Sequence, residues 1–65
     1  MKVRNIIRLL ESQGWQLVRT KGSHRQYKHP SCPGLVTVPA HWNDDLNPKT
    51  LQSILKQAGL KKEDL

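Results

Sequence analysis

The chain has 65 residues, 35% of them hydrophobic, and 11 Lys and Arg against 5 Asp and Glu give a formal charge of +6. So short a chain supports one core and buries only about 60% of the surface it exposes when unfolded, which argues against an elaborate enclosed pocket, while the positive charge favours a polyanionic partner over a neutral metabolite. Cys32 is the only cysteine, so an internal disulfide is excluded, and no apolar run approaches the roughly 20 residues that span a bilayer. Arg4, Asn5 and Arg8 interrupt the N-terminal apolar residues where a secretory signal needs an unbroken stretch, so the expected compartment is the cytoplasm, with no membrane partner.

In chain order, Val3, Ile6, Ile7 and Leu10 follow the i, i+3, i+4, i+7 spacing of a helix with one buried stripe. Gly14 ends it by accepting a left-handed conformation, and Trp15 folds back on its last turn. Three strand-like runs follow, Trp15 to Lys21, His24 to His29 and Leu35 to Pro39, rich in Val, Tyr, Thr and Trp. Gly22-Ser23 suits a two-residue hairpin with glycine at its first central position, whereas Pro33-Gly34 suits a type II turn within a longer loop that would hold Cys32. A second helical stripe, Leu51, Ile54, Leu55 and Ala58, is opened by Asn47 as cap with Pro48 behind it and closed by Gly59. The Lys61 to Leu65 tail is expected to fray. The predicted fold is therefore a single α+β domain over residues 1–65, in the order α-β-β-β-α, with a three-stranded antiparallel sheet and both helices on one face.

The hairpin sets a register in which Lys21 faces His24, Arg19 faces Gln26 and Val18 faces Tyr27. Val18, Tyr27, Val36 and Val38 then share the face that the helices cover, and alternation sends Arg19, Lys21, His24, Gln26, Lys28 and Thr37 to the open face, with Leu17 as its one awkward apolar member. Acidic residues are confined to Glu11, Asp44, Asp45, Glu63 and Asp64, so the open face is a basic stripe without opposition.

His24 is the residue on that stripe able to take and give a proton near neutral pH, which suits attack of a ribose 2′-hydroxyl on its adjacent phosphate, with Arg19, Lys21 and Lys28 stabilising the charge that develops. Gly22 is a turn glycine that also lets backbone approach a phosphate, and Ser23 has no carboxylate-oriented histidine that would make it a hydrolase nucleophile. His41, just beyond the third strand, is a candidate second acid or base. His29 falls on the opposite face from His24 and reads as structural. Those opposed faces keep His24, His29, Cys32 and His41 from converging on zinc, so no metal and no other cofactor is expected. Trp15 at a helix exit reads as core, and with one Tyr and no Phe the chain lacks the aromatic platform of an RRM.

Gly14-Trp15, Arg19, Gly22-Ser23-His24, Val38-Pro39 followed by His41, and Thr50-Leu51 leading through Ile54 and Leu55 to Ala58-Gly59 together resemble the HicA toxins, from about Arg4 to Leu60. The resemblance implies a fold similar to the double-stranded RNA-binding domain, a metal-independent ribonuclease acting on mRNA with His24 as its catalytic histidine, and a HicB-like antitoxin that covers the site. Two departures stand out: Lys49 precedes the threonine where the family often has glycine, and Asp44 and Asp45 follow Trp42-Asn43. Domains with this order contact RNA through the first helix, the first hairpin turn and the start of the second helix, which here offer Arg4 and Arg8, Lys21 to His24, and Lys49. A non-catalytic RNA-binding module and a basic domain that engages only an acidic protein are the competing classes.

Overall fold

The computed structural model describes residues 1–65. Helix α1 (Val3–Ser12) precedes strands β1 (Gln16–Lys21), β2 (His24–His29) and β3 (Cys32–Pro39), then helix α2 (Pro48–Ala58) and a short 3-10 turn at Lys62–Asp64. The strands form one antiparallel sheet in the order β1-β2-β3. Both helices turn their apolar stripes to one side of it: Val3, Ile6, Ile7 and Leu10 of α1 and Ile54 and Leu55 of α2 are buried with Trp15, Tyr27, Val36, Val38 and Leu46. Burial pushes the Tyr27 hydroxyl pKa up, the Arg25 guanidinium opposes the rise and the Glu11 carboxylate adds to it.

The helix boundaries follow from local chemistry. The Trp15 amide donates to the Leu10 carbonyl at 3.0 Å and the Leu60 amide to the Leu55 carbonyl at 2.8 Å, each with a left-handed glycine just before it, the Schellman arrangement. Asn47 Oδ1 accepts from the Thr50 amide at 2.8 Å and Pro48 occupies the first turn of α2. No side chain caps α1. Its first amides are satisfied instead by the 41–46 loop: Val3 N–H donates to the Asp44 carbonyl at 2.9 Å and Arg4 N–H to the Trp42 carbonyl at 3.2 Å, while the Leu46 amide returns a bond to the Met1 carbonyl at 2.9 Å. At the C-terminus Asp64 Oδ2 accepts from the Lys61 amide at 2.9 Å and closes the 3-10 turn.

Three sequence expectations about the sheet are corrected. First, Lys21 pairs with His24 and Arg19 with Gln26 as expected, but a β-bulge between Leu17 and Arg19 puts Leu17, not Val18, opposite Tyr27. Val18 is 55% exposed and outside the core, and Leu17, on the helix-side face rather than the open one, is 50% exposed because β1 is an edge strand with no buried residue. An inserted residue moves every position beyond it by one place, which is why a regular alternation fails at this end of β1. Second, β1 begins at Gln16 and β3 at Cys32, so Cys32 is a half-buried strand residue rather than a loop residue. Third, the connection between β2 and β3 is the two-residue turn Pro30-Ser31, with His29 opposite Cys32, and Pro33-Gly34 lies inside β3 where the register with β2 shifts.

His29 fastens the turn to α1. Its Nδ1 accepts from the Ser31 amide at 3.0 Å, which leaves Nε2 to carry the proton and donate to the Gln13 carbonyl at 2.8 Å. Its ring lies 5.3 Å from that of Trp15, tilted by 60°. Gly14 sits against this ring at φ +98°, and a Cβ there would lie 2.8 Å from His29 Nε2. Gly14→Ala is therefore expected to destabilise the fold by about 1–3 kcal/mol, through backbone strain and displacement of a ring held at both nitrogens. A urea melt that matches the unsubstituted protein would contradict this.

Candidate functional site

The open face of the sheet is assembled by alternation. Lys21 and His24 are paired across the first hairpin, Arg19 and Gln26 one step on, and Gln16 and Lys28 beyond the bulge; Thr37 and Pro39 of β3 pair with Gln26 and His24. His24, Gln26 and Lys28 thus share this face, while Arg25, Tyr27 and His29 point to the helices. Gly22 takes φ 59° and no other residue type in the chain has a positive φ, so the hairpin is a type II′ turn with glycine first. The turn fixes Ser23 and His24 at the very end of the sheet.

His24 is exposed, and its ring makes none of the side-chain hydrogen bonds in the molecule. No acid opposes the cations beside it. The single ion pair, Lys2 Nζ to Asp45 Oδ2 at 3.3 Å, belongs to the α1 and 41–46 junction, so Arg19, Lys21, Lys28 and Lys49 all lack a carboxylate partner. Pro39 links two parts of the site: it is the register partner of His24, and it also lines a groove of about 320 Å³ with Lys49, Thr50, Ser53 and Gln57 of α2. The start of α2 therefore borders the His24 end of the sheet. Gln57 Oε1 accepts from the Thr37 amide at 3.1 Å, holding α2 along the outer edge of β3.

Two groups of candidates are placed differently from one another. Arg19, Lys21, Gly22, Ser23, His24 and Lys28 share one face or its hairpin, with Lys49 at its border. His41 does not join them by any hydrogen bond: its amide donates to Asp44 Oδ2 at 3.2 Å, and its loop runs on to the α1 N-terminus. Arg4 and Arg8, offered by the first helix, are engaged by the same loop, Arg4 Nη1 donating to Asn43 Oδ1 at 3.0 Å and the Arg8 guanidinium lying 6.0 Å from the Trp42 ring centroid. The acidic loop thus docks the chain terminus and occupies the cations of α1. Sequence reasoning missed Thr50, Ser53 and Gln57; their i, i+3, i+7 spacing is a polar stripe flanking the apolar one on α2, visible in the sequence once that helix is placed.

The model of the family described as HicA toxin of bacterial toxin-antitoxin matches residues 3–60. The chain belongs to the HicA toxin family. As a HicA toxin it is the toxin half of a toxin–antitoxin pair, and its protein partner is an antitoxin. No curated protein matches it. The matched span runs from the first residue of α1 to just past the end of α2, so every residue of the open face and both helices of this HicA domain lie within it. No helix is long and apolar enough to cross a membrane.

Proposed function

We propose that this HicA protein is a metal-independent endoribonuclease of the cytoplasm that cleaves mRNA on the open face of its sheet, with His24 transferring the proton. The observation that carries the reading is the setting of His24: an exposed imidazole at the end of a face whose cations have no carboxylate partner. The phosphodiester of one nucleotide lies over the Gly22-Ser23 turn; His24 accepts the proton of the ribose 2′-hydroxyl as that oxygen attacks the adjacent phosphorus, the bond from phosphorus to the 5′-oxygen of the next nucleotide breaks, and that oxygen takes a proton from a second acid or from water. Arg19, Lys21 and Lys28 hold phosphates and offset the charge gained on the way to the transition state, and Lys49 extends the positive border from α2. His41 is the candidate second acid or base, two residues past the register partner of His24. The antitoxin silences the protein by covering the same basic stripe with complementary charge, in competition with RNA.

The test that separates cleavage from binding is incubation of RNA with the purified protein in EDTA: shortened RNA supports the proposal, and bound but intact RNA replaces it with the second reading. That reading, a non-catalytic RNA-binding module, is favoured by one feature, the absence of any group that orients the His24 ring. RNA affinity is expected to fall steeply with salt, and Arg19→Ala or Lys28→Ala each to make the slope of log K against log salt shallower by about 0.7 to 0.9, as one phosphate contact is lost. Unchanged slopes in both variants would move the RNA surface off this face.

A further inference from the structure

The two irregularities of the sheet flank β2: the bulge in β1 lies opposite Gln26 and Tyr27, and the register shift with β3 lies between Tyr27 and His29, toward the end away from His24. Between them lies a groove of about 620 Å³ lined by Gln16, Val18, Lys28, His29 and the residues of the Pro30–Pro33 segment. Gln16 and Lys28 place its near side on the face of His24, with Lys28 four residues along β2, or about 13 Å. His29 closes it from the helix side, with both ring nitrogens bonded to backbone and so not free for a ligand. Its walls are apolar where the bulge turns Val18 outward and where Pro30 and Pro33 face it. Its free polar groups are the Gln16 amide and the Ser31 hydroxyl, neither of which has an internal hydrogen bond, together with the Lys28 ammonium, which has no acidic partner.

Resting on the RNA reading above, we propose that this groove is a subsite for one unpaired nucleobase of the bound strand. A strand with one phosphate at His24 that continues along the β2 cations brings a neighbouring nucleotide to Lys28. A base needs apolar walls for its faces and hydrogen-bonding groups for its edge, and the groove supplies both. The Gln16 amide offers a donor and an acceptor side by side, which discriminates between base edges. The strand is held by phosphate contacts at the stripe and read at the groove, so the choice of base is separable from the electrostatic affinity.

The test uses the His24→Ala protein, to keep RNA intact, and homopolymeric single strands of A, U and C about 12 nucleotides long, with an abasic strand of equal charge. Affinities are expected to spread about tenfold, with the abasic strand weakest. Adding Gln16→Ala or Val18→Ala should compress that spread to about twofold and leave the salt slope unaltered, since Lys28 and Arg19 remain. Both positions are exposed, so the variants fold. Equal affinity for all strands, or a spread that survives both substitutions, overturns the subsite. If the substitutions leave every RNA affinity unchanged and instead weaken the antitoxin complex, the groove is a protein seat and the proposal falls as well. A groove-dependent spread in a protein that never cuts RNA would sink the ribonuclease reading and leave the subsite standing.

Discussion

Leu10→Ala is expected to lower stability by about 2–5 kcal/mol, because Leu10 has no exposed surface and its truncation leaves a cavity under α1. A domain of 65 residues has only about 3–10 kcal/mol in total at typical values per residue, so a large share of the protein should be unfolded. Val18→Ala is the matched control for the register. With a regular hairpin it would vacate core opposite Tyr27 and be costly; with the bulge, its side chain is already in solvent and the change should stay within about 0.5 kcal/mol. Urea melts of the two variants decide this. Similar losses in both would restore Val18 to the core.

His24→Ala is expected to reduce RNA cleavage by at least about 10²- to 10⁴-fold, the usual contribution of a general acid or base, while stability changes by no more than about 0.5 kcal/mol. The two effects separate because His24 packs against no helix and makes no side-chain hydrogen bond, so its removal costs chemistry and leaves the core intact. RNA binding should largely survive, as Arg19, Lys21, Lys28 and Lys49 keep their charges. Toxicity on expression should disappear with cleavage. A variant that binds RNA, melts normally and still arrests growth would remove His24 from the reaction.

The parts legible in the sequence are those encoded locally. Gly14 and Gly59 end the helices, Asn47-Pro48 starts the second, and Gly22-Ser23 fixes the first hairpin, from which the placement of Arg19, Lys21, His24, Gln26 and Lys28 on one face follows by alternation. The bulge was not legible, because Leu17 and Val18 are both apolar and either can face Tyr27 without changing the pattern. The second turn was misplaced because Pro30-Ser31 and Pro33-Gly34 both carry turn chemistry. Pro33, without an amide hydrogen, is tolerated in β3 because that strand is at an edge and irregular there. The capping of α1 by the 41–46 loop runs through backbone carbonyls, which leave no mark on side-chain identity; the Lys2–Asp45 and Arg4–Asn43 pairs are its side-chain traces. The same loop explains Asp44 and Asp45 on a protein with a basic face, since they brace the α1 terminus rather than meet the open side of the sheet.

The central claim, that His24 cleaves RNA without a metal, is tested most directly by following one labelled RNA with the wild-type protein and His24→Ala in EDTA across a pH series, beside thermal melts of both. The account predicts cleavage by the wild type that depends on pH and persists in EDTA, leaving 2′,3′-cyclic phosphate ends, and loss of that activity in a variant that melts normally. Equal cleavage by the folded variant, or wild-type activity that EDTA abolishes and a divalent cation restores, would contradict it.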